Sequence, residues 1–280
     1  MTGMIGPPGF AGDWNGGQIT TQATCVLAPN AGPQTLDGTN TWLIGAPDSR
    51  TVTVIDPGPN DIAHWDSVAA VAEQRGVTIE RILLTHGHLD HSAGARMFAE
   101  SAGCAVQALD PQYQYGAEGL VGGDVLELSG TEIHVVGTPG HSSDSLSFYL
   151  PQDGSLLTGD TVLGRGTTVV AYPDGTLVEY LDSLHRLREL VAESQLQAIL
   201  PGHGPTLDQP GAVIDYYLAH RHERLEQVRA VVAELGGHGI PIQDLAQRVV
   251  ETVYSDVPRS VWPLALLSVR AQLEYLASYS

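Results

Sequence analysis

The sequence predicts an α/β protein in which two β-sheets pack face to face, helices cover both outer faces, and a small helical appendage follows. Three observations carry that expectation. Short β-branched and apolar runs bounded by Gly, Pro, Asn and Asp give way to a helical period, and this succession occurs twice. From Val213 onward the strand signals stop and only three- and four-residue apolar spacing remains. A length of 280 residues suits one domain of about 200 residues with a smaller addition. The expected units are therefore 1–212 and 213–280.

Taken in order, residues 24–28, 41–44 and 51–55 read as strands. Ile62, Trp65, Val68, Ala69 and Ala72 then recur at helical spacing. Residues 82–85 form a short buried strand running into His86, 91–102 a helix, and 105–108 another strand. A meander follows over 125–128, 131–136, 145–150 and 155–157, with Ser129-Gly130 as a hairpin turn. Leu177, Leu181, Leu184, Leu187 and Val191 mark an amphipathic helix. Residues 196–200 are a last strand, ending at Pro201-Gly202-His203-Gly204. Helical periods over 213–235, 242–254 and 258–277 make the appendage, separated by a Gly-rich turn at 236–239 and by Pro258.

The net charge of −19 narrows the range of partners. All thirteen basic residues are Arg, and such a field repels polyanions at long range. It argues against an extended phosphate-tracking groove, not against a small anionic substrate. Residues 1–15 hold no basic residue and no apolar block, so neither a signal peptide nor a membrane helix is expected and residence is cytoplasmic. Cys25 and Cys104 form no C-x-x-C unit and read as small hydrophobes.

The chemistry concentrates in T-H-G-H-L-D-H at 85–91. His86 and His88 stand two apart just past a strand, so extended backbone turns both rings to one side. Asp90 and His91 follow where a helix begins. Three imidazoles and a carboxylate within six residues suit a borderline divalent ion such as zinc. Three more pieces, T-P-G-H at 138–141, L-T-G-D at 157–160 and P-G-H-G at 201–204, each put a ligand type at a strand end behind a glycine. Strand ends meeting at one sheet edge gather seven ligands: His86, His88, Asp90, His91, His141, Asp160 and His203.

H-G-H-L-D-H followed by G-H, G-D and P-G-H-G resembles the ligand set of the metallo-β-lactamase superfamily over about residues 20–210. The resemblance implies an αββα sandwich with metals at one edge. It assigns His86, His88 and His141 to one metal, Asp90, His91 and His203 to the other, and Asp160 to a bridge. G-R-G-T-T-V at 164–169, I-L-P-G-H-G-P at 199–205 and H-R-H-E-R at 220–224 resemble the β-lactamase-like protein two group more closely. That group carries a C-terminal winged-helix-like domain, which the appendage matches. Because the chain stops at Ser280, the wing strands are expected to be missing.

These features imply a hydrolase with two divalent ions, Zn2+ by ligand chemistry, Mn2+ or Fe2+ being alternatives. A hydroxide shared by ions about 3.5–4 Å apart is the expected nucleophile, with Asp90 as ligand and as orienter or base. The bridging type is Asp, whereas zinc β-lactamases resemble one another in placing Cys there, so β-lactam cleavage is at best a side reaction. Only 42 residues separate Asp160 from His203, too few for the large insert of the RNA-degrading branch. The reading preferred is hydrolysis of a small ester or thioester, similar to glyoxalase II. Its alternative is endonucleolytic cleavage of single-stranded RNA, and a third is a nucleic-acid-binding regulator using the helix at 258–277, which has only Arg259 and Arg270 as cations. Trp262, Leu264, Leu266, Leu267 and Leu273 there read as core or as a subunit interface, which leaves a homodimer open. Arg165 and Thr168 are the expected substrate-binding residues. His220, Arg221 and His222 read as a solvated helix face, Tyr113 as packing, and His64, His134, His185 and His238 receive no role.

Overall fold

The computed structural model describes residues 13–236, 240–255 and 258–278; His238 lies outside them. Among the described residues eleven strands form two sheets. The first runs in spatial order β1 (Gly17–Gln18), β2 (Ala23–Leu27), β3 (Asn40–Ile44), β4 (Thr51–Ile55), β5 (Thr78–Leu83) and β6 (Ala105–Gln107). The second runs β11 (Ala198–Pro201), β10 (Ser155–Gly159), β9 (Leu146–Leu150), β8 (Thr131–Gly137) and β7 (Val125–Leu128). The sheets are antiparallel except where helical crossovers demand otherwise, at β4–β5, β5–β6 and β10–β11. The expected αββα sandwich is the observed fold.

The inner faces supply the central core, with Trp42, Ile44, Ile55 and Leu83 meeting Ile133, Val135, Phe148 and Leu157. On the outer face of the first sheet, α1 (Ile62–Gln74) and α3 (Ala95–Ala102) pack through Trp65, Val68, Phe98 and Ala99. Asp61 caps α1 by accepting from the backbone N–H of Ala63 and His64. On the second sheet, α4 (Leu177–Glu193) and α5 (Pro210–Glu234) pack through Tyr180, Leu184, Leu187, Val213 and Tyr217. The far end of α5 joins α6 (Ile242–Val253) and α7 (Trp262–Ser278) in a second small core built on Val228, Val249, Val250 and Val269. One helix thus belongs to both hydrophobic units. No strand follows Pro201 among the described residues.

Two details depart from the sequence reading. The two-residue strand β1 carries too little pattern to be seen. The helix expected over 91–102 is broken into α2 (Leu89–Ser92) and α3, because the Gly94 N–H donates to Gly58 O, outside the helical ladder. Gly94 also lies so close to the Phe98 ring that a Cβ there would stand 2.2 Å from it. The short α2 lets Asp90 and His91 face the edge of the sandwich.

Candidate metal centre

Five of the seven ligands stand in the turn after a strand or at its end, and Asp90 and His91 stand on α2. His86 and His88 follow β5, His141 follows β8, Asp160 follows β10, and His203 follows β11. The structure brings all seven side chains together in three overlapping groups, each with its ligand atoms within 4.8 Å: His86, His88 and His141; His86, His91 and Asp160; Asp90, His91 and His203.

The geometry of the first lobe fits a cation. His88 Nδ1 lies 3.0 Å from His86 Nε2 and 3.0 Å from His141 Nε2. One ring nitrogen cannot serve two imidazoles with a single proton. Two nitrogens bound at about 2.0–2.1 Å to a tetrahedral ion would be about 3.3 Å apart, close to this spacing. In the second lobe His91 Nε2 and His203 Nε2 are 3.2 Å apart, and Asp90 Oδ2 is 3.1 Å from His203 Nε2. Asp160 stands between the lobes. Its Oδ1 is 3.4 Å from both His91 and His203 and is buried without a hydrogen-bond partner, while Oδ2 lies 3.7 Å from His141. A buried carboxylate oxygen left unsatisfied is costly, and a cation satisfies it.

Four of the imidazoles have their outward nitrogen against an oxygen. His86 Nδ1 faces Thr85 Oγ1 at 3.0 Å, His91 Nδ1 faces Asp56 Oδ2 at 2.8 Å, His141 Nδ1 faces the Val169 carbonyl at 2.8 Å, and His203 Nδ1 faces the Gly38 carbonyl at 3.1 Å. Such contacts place the proton outward and leave the inner lone pair for a metal.

Asp56 is the residue that sequence reasoning missed. It is buried, and it accepts from the Thr85 N–H at 2.8 Å and the Thr85 hydroxyl at 2.6 Å besides facing His91. It therefore fixes His91 directly and His86 through Thr85. The signal was the same design as the ligands, a carboxylate at a strand end beside Pro57-Gly58, in a left-handed conformation with φ of 53°. Asn40 is a second missed support. Its side-chain amide donates to the Pro201 and Gly204 carbonyls at 2.9 and 2.8 Å and so staples the loop carrying His203 to β3.

Glycines close the remaining space. Gly159 has φ of +48°, and a Cβ on Gly202 would stand 2.7 Å from Asp160 Oδ1 and 2.8 Å from His91 Cε1. Gly202→Ala is expected to lower metal affinity about 10–100-fold, as loss of ligand-orienting contacts does, while leaving the circular dichroism of the fold intact. Unchanged affinity in a metal titration would remove Gly202 from this account.

Burial and charge divide the cluster. Burial first, then the neighbouring imidazoles His91 and His141, keeps His86 well below its ordinary pKa; burial also lowers His141. Burial opposes charge on His91 too, but Asp56 and Asp160 outweigh it and raise that imidazole well above its usual value. At His203 burial is outweighed in the same way by Asp160 and Asp90, to about 9. Burial raises Asp160, yet His203 and His91 hold it well below the usual carboxylate range; Asp90, against His203, falls to about 2.

His91 and His203 therefore carry protons at neutral pH when no metal competes. A metal must displace both, so affinity is expected to rise with pH through the His203 value of about 9. Zinc titration of the metal-free protein in buffers of different ionisation enthalpy reads the protons released. Heat independent of the buffer would contradict this.

Through His88, Asp90, His141 and Asp160 the cluster meets a cavity of about 690 Å3 also lined by the loop at 33–36, the loop at 163–171, and α7. Arg165 and Thr168 both line it. Arg165 pairs with Asp37 at 2.6 Å. Thr168 is buried with its hydroxyl 3.1 Å from His141 Nδ1. Arg221 is a correction: instead of a solvated helix face it is buried, stacks 4.9 Å over Tyr180, and donates to the Thr168 carbonyl at 2.5 Å. Helix α5 thereby grips the loop behind His141. Tyr113 lies with its ring over Gly87, between the two first histidines.

A family model described as the metallo-beta-lactamase superfamily matches residues 35–203. The chain belongs to this superfamily. Within the superfamily it is 30% identical over 272 residues to a beta-lactamase-like protein 2 homolog of Caenorhabditis elegans, covering 92% of this chain and 85% of the other. It is 31% identical over 254 residues to an atrochrysone carboxyl ACP thioesterase of Aspergillus fumigatus, covering 87% and 76%. A metallo-beta-lactamase family protein from Thermus thermophilus shares the fold, with a TM-score of 0.73 at 22% identity over 92% of this chain and 94% of that one. The protein is a metal-dependent hydrolase of the metallo-β-lactamase fold, and its His/Asp cluster is a site for divalent metal. No described helix is long and apolar enough to cross a membrane.

Proposed function

We propose that the protein hydrolyses a small ester or thioester at a dinuclear centre, with zinc as the ion. His86, His88 and His141 would hold one ion, Asp90, His91 and His203 the other, and Asp160 both. The observation that supports this reading is the cavity itself: it ends on the cluster, and the one cation among its described lining residues, Arg165, is already paired with Asp37. A phosphodiester chain gains little there, because its binding depends on free cations. Apart from the imidazoles of His88 and His141, which belong to the cluster, the described lining residues offer no aromatic ring on which an unstacked base could lie. The thioesterase named among the relatives supports the acyl reading.

When bound, divalent ions supply Lewis acidity and a nucleophile at neutral pH. The chain's own groups do the rest. Asp90, a carboxylate that ionises far below neutrality, accepts a hydrogen bond and so orients the attacking water. Its side chain is 30% exposed, more than those of Asp160, His91 or His203, so it faces the substrate space. Water's oxygen bonds to the acyl carbon, the C–S or C–O bond breaks, and the leaving thiol or alcohol takes a proton from that water.

Rates on a panel of thioesters and esters and on unstructured RNA, with metal and with chelator, test the proposal. Chelator-sensitive acyl hydrolysis is expected; RNA cleavage without acyl hydrolysis would overturn it.

A further inference from the structure

We propose that the cavity takes an apolar acyl group, and that Leu264 and Leu267 of α7 set how long that group can be. The inference rests on the acyl-hydrolase reading above and goes further, naming the substrate class and the wall that measures it.

Beyond the ligands, the lining is dominated by Leu36, Leu89, Leu163, Val169, Leu264 and Leu267. Leu89 is 73% exposed although it stands between His88 and Asp90. An exposed leucine beside the reacting centre has an apolar surface to offer a ligand, and a methylene chain passing over it would remove that surface from water. The volume, about 690 Å3, is in the range of pockets that engulf small ligands.

The wall formed by α7 is tied to the site. Leu264, Leu267, Ser268 and Ala271 recur at three- and four-residue spacing on one helix face. Ala271 packs into the core of the second sheet, and the Ser268 hydroxyl accepts from the Val170 N–H at 3.4 Å. Val170 lies in the loop whose Thr168 and Val169 contact His141. The same loop is gripped by Arg221 of α5. Two appendage helices thus hold the loop behind one ligand, and α7 adds two leucines to the cavity. An acyl chain that lies along the cavity with its carbonyl over the cluster would meet α7, which shares that lining.

Matched thioesters of a single small thiol, from acetyl through butanoyl and hexanoyl to octanoyl, test this on the metal-loaded full chain. For the wild type, kcat/KM is expected to rise about fourfold per methylene that enters the cavity, then level off. Leu264→Phe and Leu267→Phe should bring the plateau to shorter chains, and Leu267→Ala should move it to longer ones. Calorimetry with straight-chain carboxylates should show affinity following the same order, a readout independent of turnover. Equal rates and affinities along the wild-type series would overturn the inference while leaving acyl hydrolysis standing. No hydrolysis of any thioester or ester would instead remove the reading beneath it. A plateau left unmoved in the folded leucine variants would overturn the part given to α7, and the volume-conserving Leu264→Met and Leu267→Met keep that arm decisive if the larger changes fail to fold.

Discussion

Asp160→Ala is expected to cut hydrolysis by about a thousandfold or more, since a metal contributes several kcal/mol to the transition state and each 1.36 kcal/mol is tenfold. Asp160 directs one oxygen toward each lobe, Oδ1 to His91 and His203 and Oδ2 to His141. In the proposed dinuclear centre its removal would take the shared anion from between the two ions and leave their repulsion uncompensated. The fold should survive. Without that carboxylate, His203 loses the main cause of its raised pKa and can turn neutral, while His91 keeps its Asp56 partner, so no buried charge is stranded. His88→Ala gives a cleaner test of the first lobe, because His88 is less buried than His86 or His141. Metal content by mass spectrometry, circular dichroism and rates measured on one preparation separate loss of metal from loss of structure. Full activity in either folded variant would end the account of the centre.

The seven ligand types were legible because each sits in a short motif with its own reason to be there: a strand end, a glycine before it, and a donor suited to a divalent ion. That local logic needs no tertiary knowledge. What the sequence did not disclose depends on distance in the chain. Asp56 reads as a turn former until the fold carries it 35 residues along to His91. Arg221 lies among charged residues on a long helix, and only the packing of α5 on the second sheet shows that it points inward to Tyr180 and Thr168. The leucines of α7 were read together as core or interface, since periodicity shows that a face is apolar without showing what it meets. The structure divides them: Leu273 belongs to the small core with α5 and α6, whereas Leu264 and Leu267 line the cavity. The break between α2 and α3 was hidden for a similar reason, because the carbonyl that takes the Gly94 N–H belongs to Gly58.

Asp56→Ala carries the second large expectation, and on a residue that touches no substrate. Its two oxygens accept from the Thr85 N–H, the Thr85 hydroxyl and the His91 imidazole. In the metal-free protein His91 is held protonated in part by Asp56, so alanine strands a buried partner, a change that typically costs about 3–5 kcal/mol of stability. In the metal-loaded protein the same change frees the rings of His91 and, through Thr85, of His86, and should lower metal affinity or activity about 10–100-fold. Asp56→Asn separates the two effects. An asparagine oxygen can still accept from the Thr85 N–H, but its NH2 group cannot accept from both the Thr85 hydroxyl and His91. Part of the stability should therefore return, through the Thr85 N–H bond, while the metal affinity stays low. Thermal unfolding with and without chelator, beside a zinc competition titration, measures both. If Asp56→Asn binds zinc as the wild type does and differs only in stability, then Asp56 serves the fold and not the ligands.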